Sequence, residues 1–212
     1  MASSIIHIAI ANEINKKLNK DKAKILIGSI APDISKHIGE KKINSHFLDD
    51  ELIDIPNMKK FLSKYKKYLN DDFVLGYYIH LYTDYLWFKY FLPDIYDESK
   101  NLITKLDGTI IKCHGNMLLQ YIYNDYTNIN IKIIEAYDLD LKIFYNDVPK
   151  IKFIIEEIPV DKLNIIVDQT SLIISNSKVH KDLVFNIDNV KKFIDLSVKI
   201  IESEINKLDL NN

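Results

Sequence analysis

No arginine occurs in this chain of 212 residues; all 28 of its basic residues are lysine. The planar guanidinium fork that grips phosphates and base edges is therefore missing. A net charge of −2 supplies no overall basic field, so duplex nucleic acid is not an expected partner. A single cysteine, Cys113, excludes an intramolecular disulfide. Five glycines and five prolines, nowhere clustered, leave no linker, and nothing repeats at a period of about 20–50 residues. The first twenty residues lack the continuous apolar stretch of a secretion signal, so the expected location is the cytoplasm. The longest apolar run, from Phe73 to Leu92, is broken by His80, Asp84 and Lys89, so no transmembrane segment is expected. No His-Asp dipeptide occurs, which argues against helical phosphohydrolases built on that pair.

What the chain does carry is an ordered set of ligand-type side chains: His7, then Asp33 in Gly28-Ser29-Ile30-Ala31-Pro32-Asp33, then His46 in Ser45-His46-Phe47, then His80 and Asp84. Imidazole is a borderline ligand and carboxylate a harder one, so the mixture suits zinc or a similar divalent ion. Residues 80 and 84 stand four apart on a helix expected from Asp71 to Leu92, so both side chains leave the same face. That helix is apolar nearly all round and belongs in a core, where an ionised Asp84 requires a cation. A metal or a lysine would serve. His7 falls within the apolar stripe of an amphipathic first helix, together with Ile10, Ala11, Ile14 and Leu18. Taken alone, an inward histidine is also explained by a bond to a carbonyl. Asp33 is also explained as turn or cap chemistry after Pro32. His46 lies in a polar loop, but Phe47 and Leu48 beside it suggest that it tucks inward.

These residues, over roughly positions 3–92, resemble the zinc-dependent phospholipase C family, a helical group related to the S1/P1 nucleases. The resemblance implies an all-α, single multi-helix domain over residues 1–212 and hydrolysis of a phosphoric ester by metal-activated water. It implies zinc held by His7 and Asp84 at one position and by Asp33, His46, His80 and Asp84 at a second, with Asp84 bridging. Asp33 inherits a catalytic role as general base. The family's third ion uses a later His-x-x-x-Glu pair; here His114 is the one candidate ligand and Leu118 stands four residues beyond it, so a third zinc lacks its carboxylate. The implied partner is a phosphoester small molecule or a phospholipid headgroup. A single-strand nuclease or nucleotidase of the same fold, and a non-catalytic protein holding a structural ion, remain alternatives.

Further helices are expected at Asn57–Leu69, Pro159–Ile174 and Ile187–Leu208, the last capped by Asn186 or Asp188. Between residues 129 and 158, Leu139, Leu141 and Ile143 alternate with Asp138, Asp140 and Lys142, so a small hairpin or irregular excursion is expected there. His37 and His180, flanked by lysines, read as solvated.

Overall fold

The computed structural model of the chain describes residues 1–208; the last four residues of the expected 1–212 domain lie outside the described residues. Among the described residues the fold is all-α, with eight α-helices and one small sheet. The helices are α1 (Ser4–Leu18), α2 (Lys22–Gly28), α3 (Lys42–Ser45), α4 (Met58–Tyr65), α5 (Asp72–Leu86), α6 (Met117–Ala136), α7 (Leu163–Ser175) and α8 (Ile187–Lys207). None is long and apolar enough to cross a membrane.

The helix ends follow from local chemistry. Ser3 Oγ accepts the Ile6 amide at 3.3 Å and starts α1, and Asn19, in the left-handed region at φ 51°, ends it. Asp71 caps α5 by accepting from Phe73 and Val74, and Asn186 caps α8 in a reciprocal box with Asn189.

Helices α1 and α5 form the centre of the molecule. Helix α1 packs against α2, α5, α6 and α8. It is therefore buried on nearly every side from Ser4 to Asn15, with Glu13 the exception, rather than amphipathic as expected. Helix α5 ends earlier than expected, giving way after Leu86 to a π-helical turn over Trp87–Phe91 and a 3-10 turn over Leu92–Asp94. Pro93 sits inside that final turn, where its missing N–H is tolerated. Trp87, fully buried, meets Phe91, Tyr126, Phe185 and Phe193 and joins this end of α5 to α6 and α8.

The sheet lies at Tyr96–Asp97 (β1), Leu102–Thr104 (β2) and Ile110–Lys112 (β3), antiparallel in the order β1-β2-β3. It is not in the 129–158 segment. There α6 continues to Ala136, a 3-10 turn covers Leu141–Phe144, and the remainder is irregular. The alternation that suggested a strand belongs to a short turn capped by Asp140, whose carboxylate accepts from the Lys142 amide. A buried carboxylate anchors the long return to α8: Asp125 accepts the Leu183, Val184 and Phe185 amides at 2.8, 2.7 and 3.0 Å. The same face of α6 holds His180, which is half-buried with its Nε2 2.6 Å from Thr127 Oγ1, not solvated as its lysine neighbours suggested.

Helices α2 and α5 approach through two glycines. A Cβ on Gly28 would stand 2.3 Å from the Phe73 carbonyl oxygen, and one on Gly76 would stand 2.2 Å from that of Ile25. Alanine in a helix interior ordinarily stabilises by up to about 1 kcal/mol relative to glycine. Here backbone must separate instead, so Gly76→Ala is expected to destabilise by about 2–4 kcal/mol and lower Tm by about 5–15 °C, read by thermal unfolding. An unchanged or raised Tm would show that the crossing is not tight.

Candidate metal centre

Five of the six sequence-predicted ligands meet in the interior. His7 comes from the second turn of α1, Asp33 from a 3-10 turn over Ala31–His37, His46 from the residue after α3, and His80 and Asp84 from successive turns of α5. All five are buried; Asp33, at 4% exposed, is the most accessible of them. The sixth, His114, is exposed in the turn before α6 and belongs to neither of the two ligand groups that form. Its apolar neighbours Met117 and Leu118 turn toward the core from α6, while His114 precedes the helix and stays outside.

The groups are His7, His80 and Asp84, and Asp33, His46 and His80. His80 Nδ1 stands 2.7 Å from the Ser29 carbonyl, which can only accept, so Nδ1 carries the proton and Nε2 presents a lone pair. The Ser45 hydroxyl has acceptors in Ser35 Oγ at 3.1 Å and the Lys42 carbonyl at 3.4 Å. Its own lone pair is thus free for His46 Nδ1–H, 2.9 Å away, and His46 Nε2 is likewise left as an acceptor. The two Nε2 atoms face each other at 3.2 Å. Asp33 Oδ1 lies 3.4 Å from His46 Nε2, and Asp84 Oδ2 lies 3.7 Å from the Nε2 atoms of both His46 and His80. Ligands held about 2.0–2.1 Å from a tetrahedral ion stand about 3.3 Å apart; the Asp33, His46 and His80 donors, all within 4.8 Å of one another, come near that spacing, and Asp84 falls outside this group.

The other oxygen of Asp84 faces His7. Asp84 Oδ1 is 3.4 Å from His7 Nε2, without hydrogen-bond alignment, and accepts the Ala2 amide at 3.1 Å. The His7 ring stacks on that of His80 at a centroid distance of 3.9 Å, and neither His7 nitrogen has a hydrogen-bond partner. Asp84 thus turns one oxygen toward His7 and the other toward His46 and His80, and His80 is the residue common to both ligand groups.

Electrostatics favour a cation here. Burial lowers the pKa of His46, with the Asp33 contact opposing, and burial together with the stacked His7 holds His80 well below the usual imidazole range. Both rings are therefore neutral and able to ligate. Burial pushes Asp33 and Asp84 upward but loses in each case. Lys36 holds Asp33 down, and the neighbouring His7 holds Asp84 down. Lys36 Nζ, 3.0 Å from Asp33 Oδ1, compensates that carboxylate. Among the described residues no lysine pairs with Asp84, whose Oδ2 has no hydrogen-bond partner. A lysine is thus not the compensation realised at Asp84, although the buried N-terminal ammonium of Met1 also acts on it through space. Orphaned acceptors at 0% exposure, clustered at ligand spacing, fit a bound metal ion.

Sequence reasoning did not single out Ser29, Ser45 or Lys36. A carbonyl acceptor carries no residue-type signal, and the i,i+3 spacing of Asp33 and Lys36 is equally typical of a surface pair. Two backbone features also set the site. Phe47 adopts φ 54°, unusual for a non-glycine residue, and turns the chain directly after His46. Its ring is held edge-on against Phe61 at 5.2 Å, while Tyr77 Oη donates to the Ser45 carbonyl and ties the loop to α5.

Comparison with family models, with curated proteins and with solved structures finds no match to this chain.

Metal should stabilise the fold, because the donors converge only in the folded state. Zinc at about one hundred times its Kd is expected to raise the Tm of chelator-treated protein by about 5–10 °C. Elemental analysis of protein purified without added metal should give about two equivalents for wild type and near none for Asp84→Asn, which removes the shared carboxylate. Full metal content in Asp84→Asn would disprove its bridging position.

Proposed function

We propose that this chain is a zinc-dependent hydrolase of phosphoric esters, phospholipase C-like in its chemistry. The observation that carries the reading is that one member of the buried donor set, Asp33, lines an open cavity. A cavity of about 550 Å³ reaches Asp33 and is lined also by Lys36, Lys42, Phe88, Ile122 and Ile166, with Lys42 Nζ 5.0 Å from the centre of the Phe88 ring.

Zinc bound there supplies Lewis acidity toward a phosphoryl oxygen and makes water a nucleophile near neutral pH. The chain's own residues do the rest. The Ser29 carbonyl and the Ser45 hydroxyl hold His80 and His46 in the tautomers that present Nε2. The burial of Asp84 keeps bulk water away from the donors. Lys36 and Lys42 place positive charge at the cavity wall, where an anionic ester would lie, although each also answers a carboxylate, Asp33 and Asp54 respectively. Apolar walls accept the ester's alcohol portion. Of the two roles implied for Asp33, ligand suits it better than general base, because a carboxyl held well below its usual range by Lys36 is a weak proton acceptor.

A nuclease or nucleotidase is the second reading, favoured by Phe88 and the half-exposed Tyr123 in the cavity wall, either of which could stack on a base. Turnover of a phosphocholine ester and of a nucleotide by zinc-loaded protein separates the two. The expected result is hydrolysis of the former, abolished by chelation and reduced more than about 100-fold by His80→Ala, beyond what loss of a ligand's own hydrogen-bond partner does. Hydrolysis of the nucleotide alone would favour the second reading. Retained zinc with no hydrolysis of either ester would leave a structural ion.

A further inference from the structure

Helix α6 carries three asparagines, and two of them bond to the segment before α8. Asn124 Nδ2 donates to Asp125 Oδ1 at 2.9 Å and to the Lys181 carbonyl at 3.2 Å. Asn128 donates to Asp182 and accepts the His180 amide at 3.1 Å. Both fasten the segment before α8 and are explained by that task.

Asn130 is different. It is 1% exposed, and its Oδ1 accepts from Ser3 Oγ at 3.1 Å. Ser3 Oγ accepts the Ile6 amide as the cap of α1 and donates its own proton to Asn130 Oδ1, which leaves the amide NH2 turned away from Ser3. That Nδ2 has no hydrogen-bond partner among the described residues. Leaving such a donor unpaired in the interior is unfavourable, and native structures rarely tolerate it without a reason. Asn130 also lines the cavity that reaches Asp33, together with Lys36 and Lys42. Through Ser3 it adjoins Ala2, whose amide holds Asp84 Oδ1. A neutral, two-proton donor thus belongs to a residue that lines the same cavity as Lys36 and Lys42 and adjoins the segment that contacts Asp84.

We infer that Asn130 is a substrate-binding residue whose Nδ2 donates to an oxygen of the phosphoric ester held in this cavity. The inference rests on the phosphoester reading of the site. A lysine attracts an anion from many directions; a primary amide fixed at its oxygen end selects one orientation, so Asn130 sets how the ester sits rather than whether an anion enters.

The test uses the full, zinc-loaded chain and inorganic phosphate as the probe, with affinity measured by calorimetry and zinc content and Tm recorded for each variant. Asn130→Ala removes the donor. Asn130→Asp keeps the shape and the oxygen that Ser3 needs, so it guards against a simple folding failure of the alanine variant. Both are expected to weaken phosphate binding about 10–100-fold with zinc content unchanged. Wild-type affinity in Asn130→Ala overturns the inference and leaves the phosphoester reading standing. Loss of zinc together with phosphate in both variants assigns Asn130 to the scaffold and also overturns it. Absence of any zinc-dependent phosphate binding in wild type defeats both.

Discussion

The Asp84 carboxylate is fully buried between α1 and α5, with three imidazoles and one backbone amide around it and no lysine paired to it. An ionised carboxyl in such a place is sustained only by positive charge brought to it. The rest of the centre is arranged around that requirement. Helix α1 brings His7 to one oxygen, the loop after α3 brings His46 to the other, and the turn after α2 brings Asp33 to His46. The aromatic contacts of Phe47 and the hydrogen bond from Tyr77 keep that loop in place despite its unfavourable backbone conformation.

The geometry of the imidazoles traces back to how closely two helices approach. Gly28 and Gly76 let the α2 and α5 backbones come into contact. The residue after Gly28 is Ser29, whose carbonyl then reaches His80 and fixes which nitrogen faces inward. A packing constraint at the glycines is thereby turned into a protonation state, and the protonation state into a ligand. Asp33 is balanced separately by Lys36, at the one edge of the centre that meets a cavity. The centre is thus closed on the Asp84 side and open to a cavity on the Asp33 side.

Several of these features were legible in the chain. The i,i+4 pair of His80 and Asp84 within an apolar helix could only point inward together, and Phe47 and Leu48 beside His46 marked a loop that returns to the core. Other features were hidden for identifiable reasons. His7 reads as one face of an amphipathic helix, whereas α1 is packed on nearly all sides, because periodicity reports a stripe and not how many neighbours eventually cover a helix. The alternating stretch from Asp138 to Ile143 has strand period but forms a 3-10 turn; the sheet arose instead at Tyr96–Lys112. His114 has the right residue type and the wrong location.

By itself the amino-acid sequence determined the helical class, the inward direction of α5 and the identity of the donor atoms, because residue type and spacing along one helix are local properties. Only the tertiary structure decided which donors share a point, which tautomers they adopt, where Lys36 and Asn130 stand and where the centre opens. Those depend on contacts between segments up to 127 residues apart, such as Ser3 with Asn130, and on backbone carbonyls that have no residue-specific signature.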